Sequence, residues 1–449
     1  MRKLLAVWAA KASAVVGRML GKKSSSTPGT IALKICPNII RILSKNVKRG
    51  VIVTCGTNGK TTTNNLLNTA LLKCGYTTVC NNLGANMING IATAFAMACD
   101  IRGSFSADYA VLEIDEASAR RVFAHIKPDY MVITNLFRDQ LDRYGEIDIT
   151  VDLLNEAINM ADGVKLILNG DDPLTAAFGE GRDAYYYGIS EQVLPQTDET
   201  REGQFCIKCG HEQEYNYFHY SQLGDYYCPN CGNKRPKINF EATDIDLSAS
   251  MKFTVNKTNK IDVNYRGFYN IYNILAVYSA ISVMGINADS FNSVLADYKP
   301  QIGRMELINL GKPFILNLAK NPAGFNQAIQ TVMLDKRKKD VIVAINDLAN
   351  DGRDVSWLWD VDFEKLYDEN LNTLTTTGIR LYDISLRFKY AGVNVDYITK
   401  SMKEAIERCI NTDAEVCYVL VNYTALYPTQ TTMLEVKKEL ESGGGLSER

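Results

Sequence analysis

The segment Gly56-Thr57-Asn58-Gly59-Lys60-Thr61-Thr62 follows the apolar run Val51-Ile52-Val53, an order that reads as a strand turning into a helix. Glycines at such a turn let backbone N–H groups close around phosphate oxygens. Lys60 offers a cation for the outer phosphates of a nucleotide, and the Thr61 hydroxyl is a ligand type for Mg²⁺. A helix expected over Thr62–Lys73 points its positive dipole end at the same phosphates. Two residues separate the glycines, a shorter loop than the G-x-x-x-x-G-K-[ST] form.

A phosphate loop needs an acid for its metal. Leu112-Glu113-Ile114-Asp115-Glu116 ends a second apolar strand, where a carboxylate projects toward Mg²⁺. Glu113 is the first choice and Glu116 the second, although acids at this place also favour the start of a helix. Two further polar stretches, Asn81–Asn86 and Thr134–Asp142, follow other apolar runs. Four polar loops thus gather at one edge of one sheet. Asn270 and Asn273, three residues apart, share a helix face and could hydrogen-bond a base edge. Gly303-Arg304-Met305-Glu306 supplies a permanently charged guanidinium suited to a γ-phosphate.

Cys206-x-x-Cys209 and Cys228-x-x-Cys231, each followed by Gly and eighteen residues apart, carry metal-ligand spacing. Four thiolates fill a tetrahedral Zn²⁺ shell, so this zinc is expected to be structural, with no open position for chemistry.

The elements that must hold these groups are legible as apolar runs. Strands are expected at Val51–Cys55, Thr77–Asn81, Tyr109–Ile114, Tyr130–Thr134 and Val164–Asn169, alternating with helices. Around Leu194 to Pro236 the long apolar periods vanish and an insertion is expected. Strand-like alternation returns over Ser248 to Tyr265, followed by a helix from about Asn270. Beyond Arg304, Phe314–Leu318, Val341–Ile345, Leu371–Thr375, Leu381–Ser385 and Cys417–Val421 suggest strands of a second α/β domain. The expected divisions are 1–45 (helical), 46–302 (nucleotide-binding, with the ribbon insertion at about 200–237) and 303–449.

Among 449 residues, 49 lysines and arginines nearly balance 51 acids, so overall charge gives no reason to expect nucleic acid as a partner. The seven cysteines outside the C-x-x-C pairs lie mostly in apolar runs, which fits a reduced, cytoplasmic protein. Lys11 and Arg18 interrupt the apolar N-terminal stretch, leaving it too short to span a bilayer. That stretch is expected to be an amphipathic helix, packed on its own domain or resting on a membrane surface.

In this order the short phosphate loop, Asn82–Asn86, Glu113, Asn135–Asp142, Asn169-Gly170-Asp171-Asp172, Asn270/Asn273 and Gly303–Glu306 resemble the Mur ligase family. Asn346 to Asp360, Thr377–Arg380 and Arg387–Gly392 resemble the C-terminal domain of its MurT group, to which the zinc-ribbon insertion also belongs. The resemblance covers nearly the whole chain. It implies an α/β fold: a Mur ligase-like central P-loop domain with a parallel-rich sheet, an inserted four-cysteine zinc ribbon and a second α/β domain. It also implies ATP, Mg²⁺ and structural Zn²⁺. Gly56, Thr57, Asn58, Gly59, Lys60, Thr61, Thr62, Asn270, Asn273 and Arg304 would bind ATP; Thr61 and Glu113 would hold Mg²⁺. The implied activity is amidation of the D-glutamate α-carboxylate of lipid II through an acyl phosphate, acting at the inner face of the membrane. Ammonia would come from a GatD-like glutamine amidotransferase, with Asp354 completing the partner's Cys-His-Asp triad and Asp351 or Asp347 as alternatives. The alternative activity is addition of an amino acid without a partner, as in folylpolyglutamate-type ligases. Gln140 stands where many Mur ligases have His. Residues 149–160 contain no lysine that could be carbamylated to hold a second metal, and Asn317 replaces an Asp of the C-terminal hinge loop. The chain also lacks the separate N-terminal UDP-sugar domain, which fits a lipid-linked substrate.

Overall fold

The computed structural model describes residues 1–19, 25–82, 85–138, 147–194, 203–248, 250–288, 291–298, 301–349 and 351–443. Expectations at positions 83–84, 139–142, 200–202 and 350 fall outside these residues. Three helices, α1 (Arg2–Met19), α2 (Thr27–Ile35) and α3 (Ile39–Ser44), precede the first sheet. That sheet is built from β1 (Val47–Cys55), β2 (Thr78–Cys80), β3 (Ala107–Glu113), β4 (Tyr130–Ile133), β5 (Lys165–Asn169), β6 (Ala184–Ile189), β9 (Phe240–Asp246), β10 (Met251–Val255) and β11 (Asn259–Val263). Their order is β11-β10-β9-β6-β5-β4-β1-β3-β2. Pairing is parallel from β2 through to β9, and only the β9–β10 and β10–β11 pairings are antiparallel, so β10 alone is reversed.

Both faces of this sheet are covered, which explains why β1 is buried without a break from Gly50 to Cys55 and reads as a continuous apolar run. Successive side chains alternate between two cores. Val51, Val53, Leu112 and Met131 face the layer of α1, α2, α3 and α5 (Ile88–Ala98). Ile52, Val111 and Val132 face α4 (Lys60–Lys73) and the helix Tyr269–Val283. A β-hairpin, β7 (Glu214–Tyr220) with β8 (Leu223–Tyr227), forms the body of the insertion.

The second sheet has the order β12-β13-β17-β14-β15-β16. It contains β12 (Glu306–Asn309), β13 (Pro313–Leu318), β14 (Lys339–Ala344), β15 (Leu371–Thr377), β16 (Tyr397–Ile398) and β17 (Val416–Val421). All pairings except β12–β13 are parallel. One expected strand is absent: Leu381–Ser385 lies in the helix Leu381–Tyr390. Its buried residues, Leu381, Ile384, Arg387 and Phe388, follow the helical period, and the short window Leu381–Ser385 imitated alternation. No helix among the described residues is long and apolar enough to cross a membrane.

Candidate active site

The phosphate loop leaves β1 at Cys55 and enters α4 at Lys60. Two glycines shape it. Gly56 has φ +120°, and a Cβ there would lie 2.2 Å from Thr134 Oγ1; Gly59 has φ +84°, and its Cβ would meet Asn273 Oδ1 at 2.2 Å. Neither position accommodates a side chain. The segment after β4 grips the loop from beside it. Thr57 N donates to Asn135 O at 2.8 Å, Asn58 N to Asn135 Oδ1 at 2.9 Å, and Thr134 Oγ1 to Asn58 O at 2.7 Å. The polar stretch after β4 is thus a brace for the phosphate loop.

Lys60 Nζ lies 2.8 Å from Glu116 Oε1, both groups nearly withdrawn from solvent, and also donates to Gly56 O. Burial works against the lysine charge, but the Glu116, Asp115 and Glu113 carboxylates outweigh it and raise its pKa. Gly56 N donates to the same Glu116 oxygen at 2.8 Å. Glu116, ranked second from sequence, is therefore the partner of the lysine.

Glu113 ends β3 beside Thr54 of β1. Asn81 pins its backbone in both directions, donating to Glu113 O at 2.7 Å and accepting from Glu113 N at 2.8 Å. Asn86 Nδ2 donates to Glu113 Oε1 at 3.2 Å. The other oxygen, Oε2, is buried with no partner, as is Thr54 Oγ1. Thr61, in the first turn of α4, is half-buried. A buried carboxylate oxygen without a donor is costly, and a set of carboxylate and hydroxyl oxygens suits Mg²⁺. These residues fit the expected ion.

Asn273 is buried against Gly59, with its Nδ2 donating to Asn270 Oδ1 at 3.0 Å. The two asparagines share a helix face, as their spacing predicted, and also bond to each other at the shoulder of the phosphate loop. Arg304, between Gly303 (φ +71°) and Met305 (φ +55°), is half-buried near Tyr269 and Tyr298.

The four ribbon thiols converge, with all Sγ atoms within 4.8 Å of one another. Cys206–Cys231 and Cys209–Cys228 are 3.6 and 3.5 Å apart, close to the sulfur–sulfur edge of about 3.8 Å in a tetrahedral Zn–thiolate site. Gly210 and Gly232 have φ near +70°, and their amides close each knuckle on Cys206 O and Cys228 O. The ribbon clamps the loop after β5. Arg235 lies 2.6 Å from the buried Asp171, Tyr272 OH donates to Asp171 at 2.8 Å, and Gln222 Nε2 donates to Leu136 O at 2.6 Å. The insertion thus braces the helix carrying Asn270 and Asn273.

The second domain reaches this site directly. Asn321 caps the helix Pro322–Leu334, and its Nδ2 donates to Asn58 Oδ1 in the phosphate loop at 3.2 Å. Arg138 and Asp360 meet at 3.4 Å. The Asn-Pro pair at 321–322 is a recognisable helix start, but no local signal reports a contact with Asn58. Three acids of the 347–354 segment differ sharply. Asp347 is held by Arg380 through Nε at 2.9 Å and Nη2 at 2.7 Å. Asp351 is buried and accepts from Thr424 N at 2.8 Å. Asp354 is exposed, and its Oδ1 accepts from Ser356 N at 2.8 Å.

The Mur ligase middle domain matches residues 53–281, and the MurT ligase C-terminal domain matches 318–426. The Staphylococcus aureus (strain COL) lipid II isoglutaminyl synthase (glutamine-hydrolyzing) subunit MurT is 36% identical over 448 residues, covering 99% of this chain and 100% of that protein. The chain belongs to the MurT family. The MurT subunit of Streptococcus pneumoniae (strain ATCC BAA-255 / R6) is 34% identical, with 95% of this chain and 96% of that protein covered. Among solved structures, the pseudomurein peptide ligase type C of Methanothermus fervidus superposes with a TM-score of 0.71 at 24% identity, covering 88% of this chain and 80% of that one. MurF ligase from Thermotoga maritima in complex with ADP gives 0.65 at 15% identity, covering 92% and 84%. These two likenesses show the Mur ligase fold. Membership of the MurT family makes the chain a Mur-ligase-type, ATP-dependent enzyme, and the family's relatives are named as subunits of a larger synthase.

Proposed function

We propose that this MurT-family chain is the ligase subunit that converts the D-glutamate α-carboxylate of lipid II to an amide, spending ATP and using ammonia made by a GatD-like glutaminase. The α-carboxylate attacks the γ-phosphorus of ATP seated on Gly56–Thr62, the bond from that phosphorus to the bridging β-phosphate oxygen breaks, and ADP leaves an acyl phosphate behind. Lys60 and Arg304 stabilise charge on the transferring phosphoryl group, while the Asn270/Asn273 pair faces the base. Glu113 and Thr61 would hold Mg²⁺, which would supply neutralisation of phosphate charge. Ammonia then attacks the acyl carbon, the C–O bond breaks with phosphate as the leaving group, and the nitrogen loses one proton, which the released phosphate can carry, to leave the amide. The zinc ribbon acts from a distance, by fixing the helix of Asn270 through Asp171, Arg235 and Tyr272.

Among the three acids of the 347–354 segment, Asp354 supports the partner role best. Arg380 and Thr424 hold Asp347 and Asp351 inside this chain, while Asp354 lies on the surface. The hydrogen bonds from Ser356 hold its carboxyl below the usual aspartate range, so it meets a partner's histidine as a carboxylate. Such an acid orients the imidazole of a Cys-His-Asp triad.

The observation that carries the reading is an end-to-end family match, supported by Lys60 at the end of the glycine turn and by the buried, unpartnered Glu113 oxygen at the end of β3. Lipid II, ATP and glutamine incubated with the chain and its copurified amidotransferase should yield the D-isoglutamine form by mass spectrometry. An unchanged lipid II overturns the proposal, and a product longer by one amino acid establishes the adding-ligase alternative. Because lipid II is membrane-borne, the reaction belongs at the inner membrane face.

A further inference from the structure

We infer that the outer face of α1 docks the enzyme on an anionic lipid bilayer. The inner face of α1, Ala6, Val7, Ala10 and Ala14, is buried on the layer formed with α2 and α5. The opposite face is apolar as well. Leu5, Trp8, Ala12, Val15, Val16 and Met19 fall within an arc of about 100° on a helical wheel, and all six are exposed. Met19 is 82% and Val16 54% exposed. Trp8 Nε1 donates to Ile101 O at 2.7 Å, so its polar atom is satisfied while half the ring stays open; Ile101, itself 78% exposed, extends the patch. Arg2 borders the stripe on one side, and Lys11 and Arg18 border it on the other.

Charge chooses the occupant. The near-neutral total conceals a strong segregation: no aspartate or glutamate occurs before Asp100, whereas eleven lysines and arginines stand within the first 49 residues. An aliphatic stripe with one tryptophan, rimmed by cations and free of acids, is the composition of a helix lying in the interface of an anionic membrane. A protein partner would more often be met by mixed charge. The position also serves the site. Gly29 of α2 and Asn89 in the first turn of α5 are so close that a Cβ would lie 1.8 Å from Asn89 O. α5 in turn follows the segment whose Asn86 holds Glu113. The docked layer is therefore continuous with the active-site wall.

The need for docking follows from a lipid-borne substrate, but the docking is measured on plain lipid, so its failure leaves the ligase reading standing. The full chain is sedimented with vesicles of phosphatidylcholine alone or with roughly one-third phosphatidylglycerol. It should pellet with the anionic vesicles, release as salt rises, and stay in solution with phosphatidylcholine. Trp8→Glu/Val15→Glu, two changes on exposed positions, should lower anionic-vesicle binding at least about tenfold while thermal melting and nucleotide binding match the parent. Three results overturn the inference: no pelleting of the parent chain, equal binding to both vesicles, or equal binding of the variant. So does loss of self-association or of complex formation in the variant with lipid binding unchanged.

Discussion

Lys60 Nζ and Gly56 N both donate to one oxygen of Glu116, each at 2.8 Å. These are the two donors that a phosphate oxygen would claim, so a nucleotide seated as proposed would displace Glu116. The account predicts that Glu116→Gln, which weakens the competitor, tightens binding of a non-hydrolysable ATP analogue about threefold to tenfold by calorimetry. Lys60→Met should lower turnover by about 100-fold or more. Weaker binding in Glu116→Gln would make Glu116 a nucleotide or metal ligand instead.

Glu113 presents a buried, unpartnered oxygen and is pinned by Asn81 and Asn86. Glu113→Gln is expected to reduce ammonia-dependent amidation about 100-fold and to raise the Mg²⁺ concentration needed for half-maximal rate. Fold and Mg²⁺-free nucleotide binding should not change. A Mg²⁺ titration matching the parent would remove Glu113 from the metal site.

Asp171 and Arg235 form a buried pair that ties the ribbon to the central sheet. Removing one member leaves an uncompensated charge, so Arg235→Met should cost about 3–5 kcal/mol in chemical denaturation. Asp171→Asn in the same chain should recover much of that loss. The ribbon should bind one zinc per chain by elemental analysis, and Cys228→Ser should lose it.

His219 is buried among Tyr217, Phe268 and Tyr272, and neither ring nitrogen has a partner. Burial first, then the Arg235 charge, pulls its pKa down to about 3. The unfolded chain binds the proton near pH 6.5 while the folded one does not, so the stability is full above that pH and is lost as pH falls toward 3. Between pH 6 and 4.5 the expected loss is about 2 kcal/mol. His219→Phe should flatten this limb in denaturation measured across that range; an unchanged limb would show that other groups set it.

The glycine turn after β1 and the convergence of the four ribbon thiols were readable because they are local. Gly56 to Thr62 declare a turn, a cation and a hydroxyl within seven residues, and two C-x-x-C pairs declare their ligands by spacing. The central strands were readable because burial on both faces turns them into apolar runs. What escaped is set by tertiary contacts: Glu116 rather than open solvent facing Lys60, Asn321 reaching Asn58, Arg235 reaching Asp171. Leu381–Ser385 misled for the opposite reason, since five residues are too few to separate a period of two from one of 3.6. The charge segregation of the first 99 residues was present in the sequence and hidden by averaging over the whole chain.

The central claim, a ligase fed with ammonia by a partner whose triad this chain completes, rests most directly on Asp354. Amidation of lipid II by the complex is measured with Asp354→Asn, once with glutamine and once with ammonium salt as nitrogen donor. The account predicts that glutamine-dependent amidation falls by about 1000-fold or more while ammonia-dependent amidation keeps the parent rate. Equal loss with both donors, or full activity with glutamine, would contradict it.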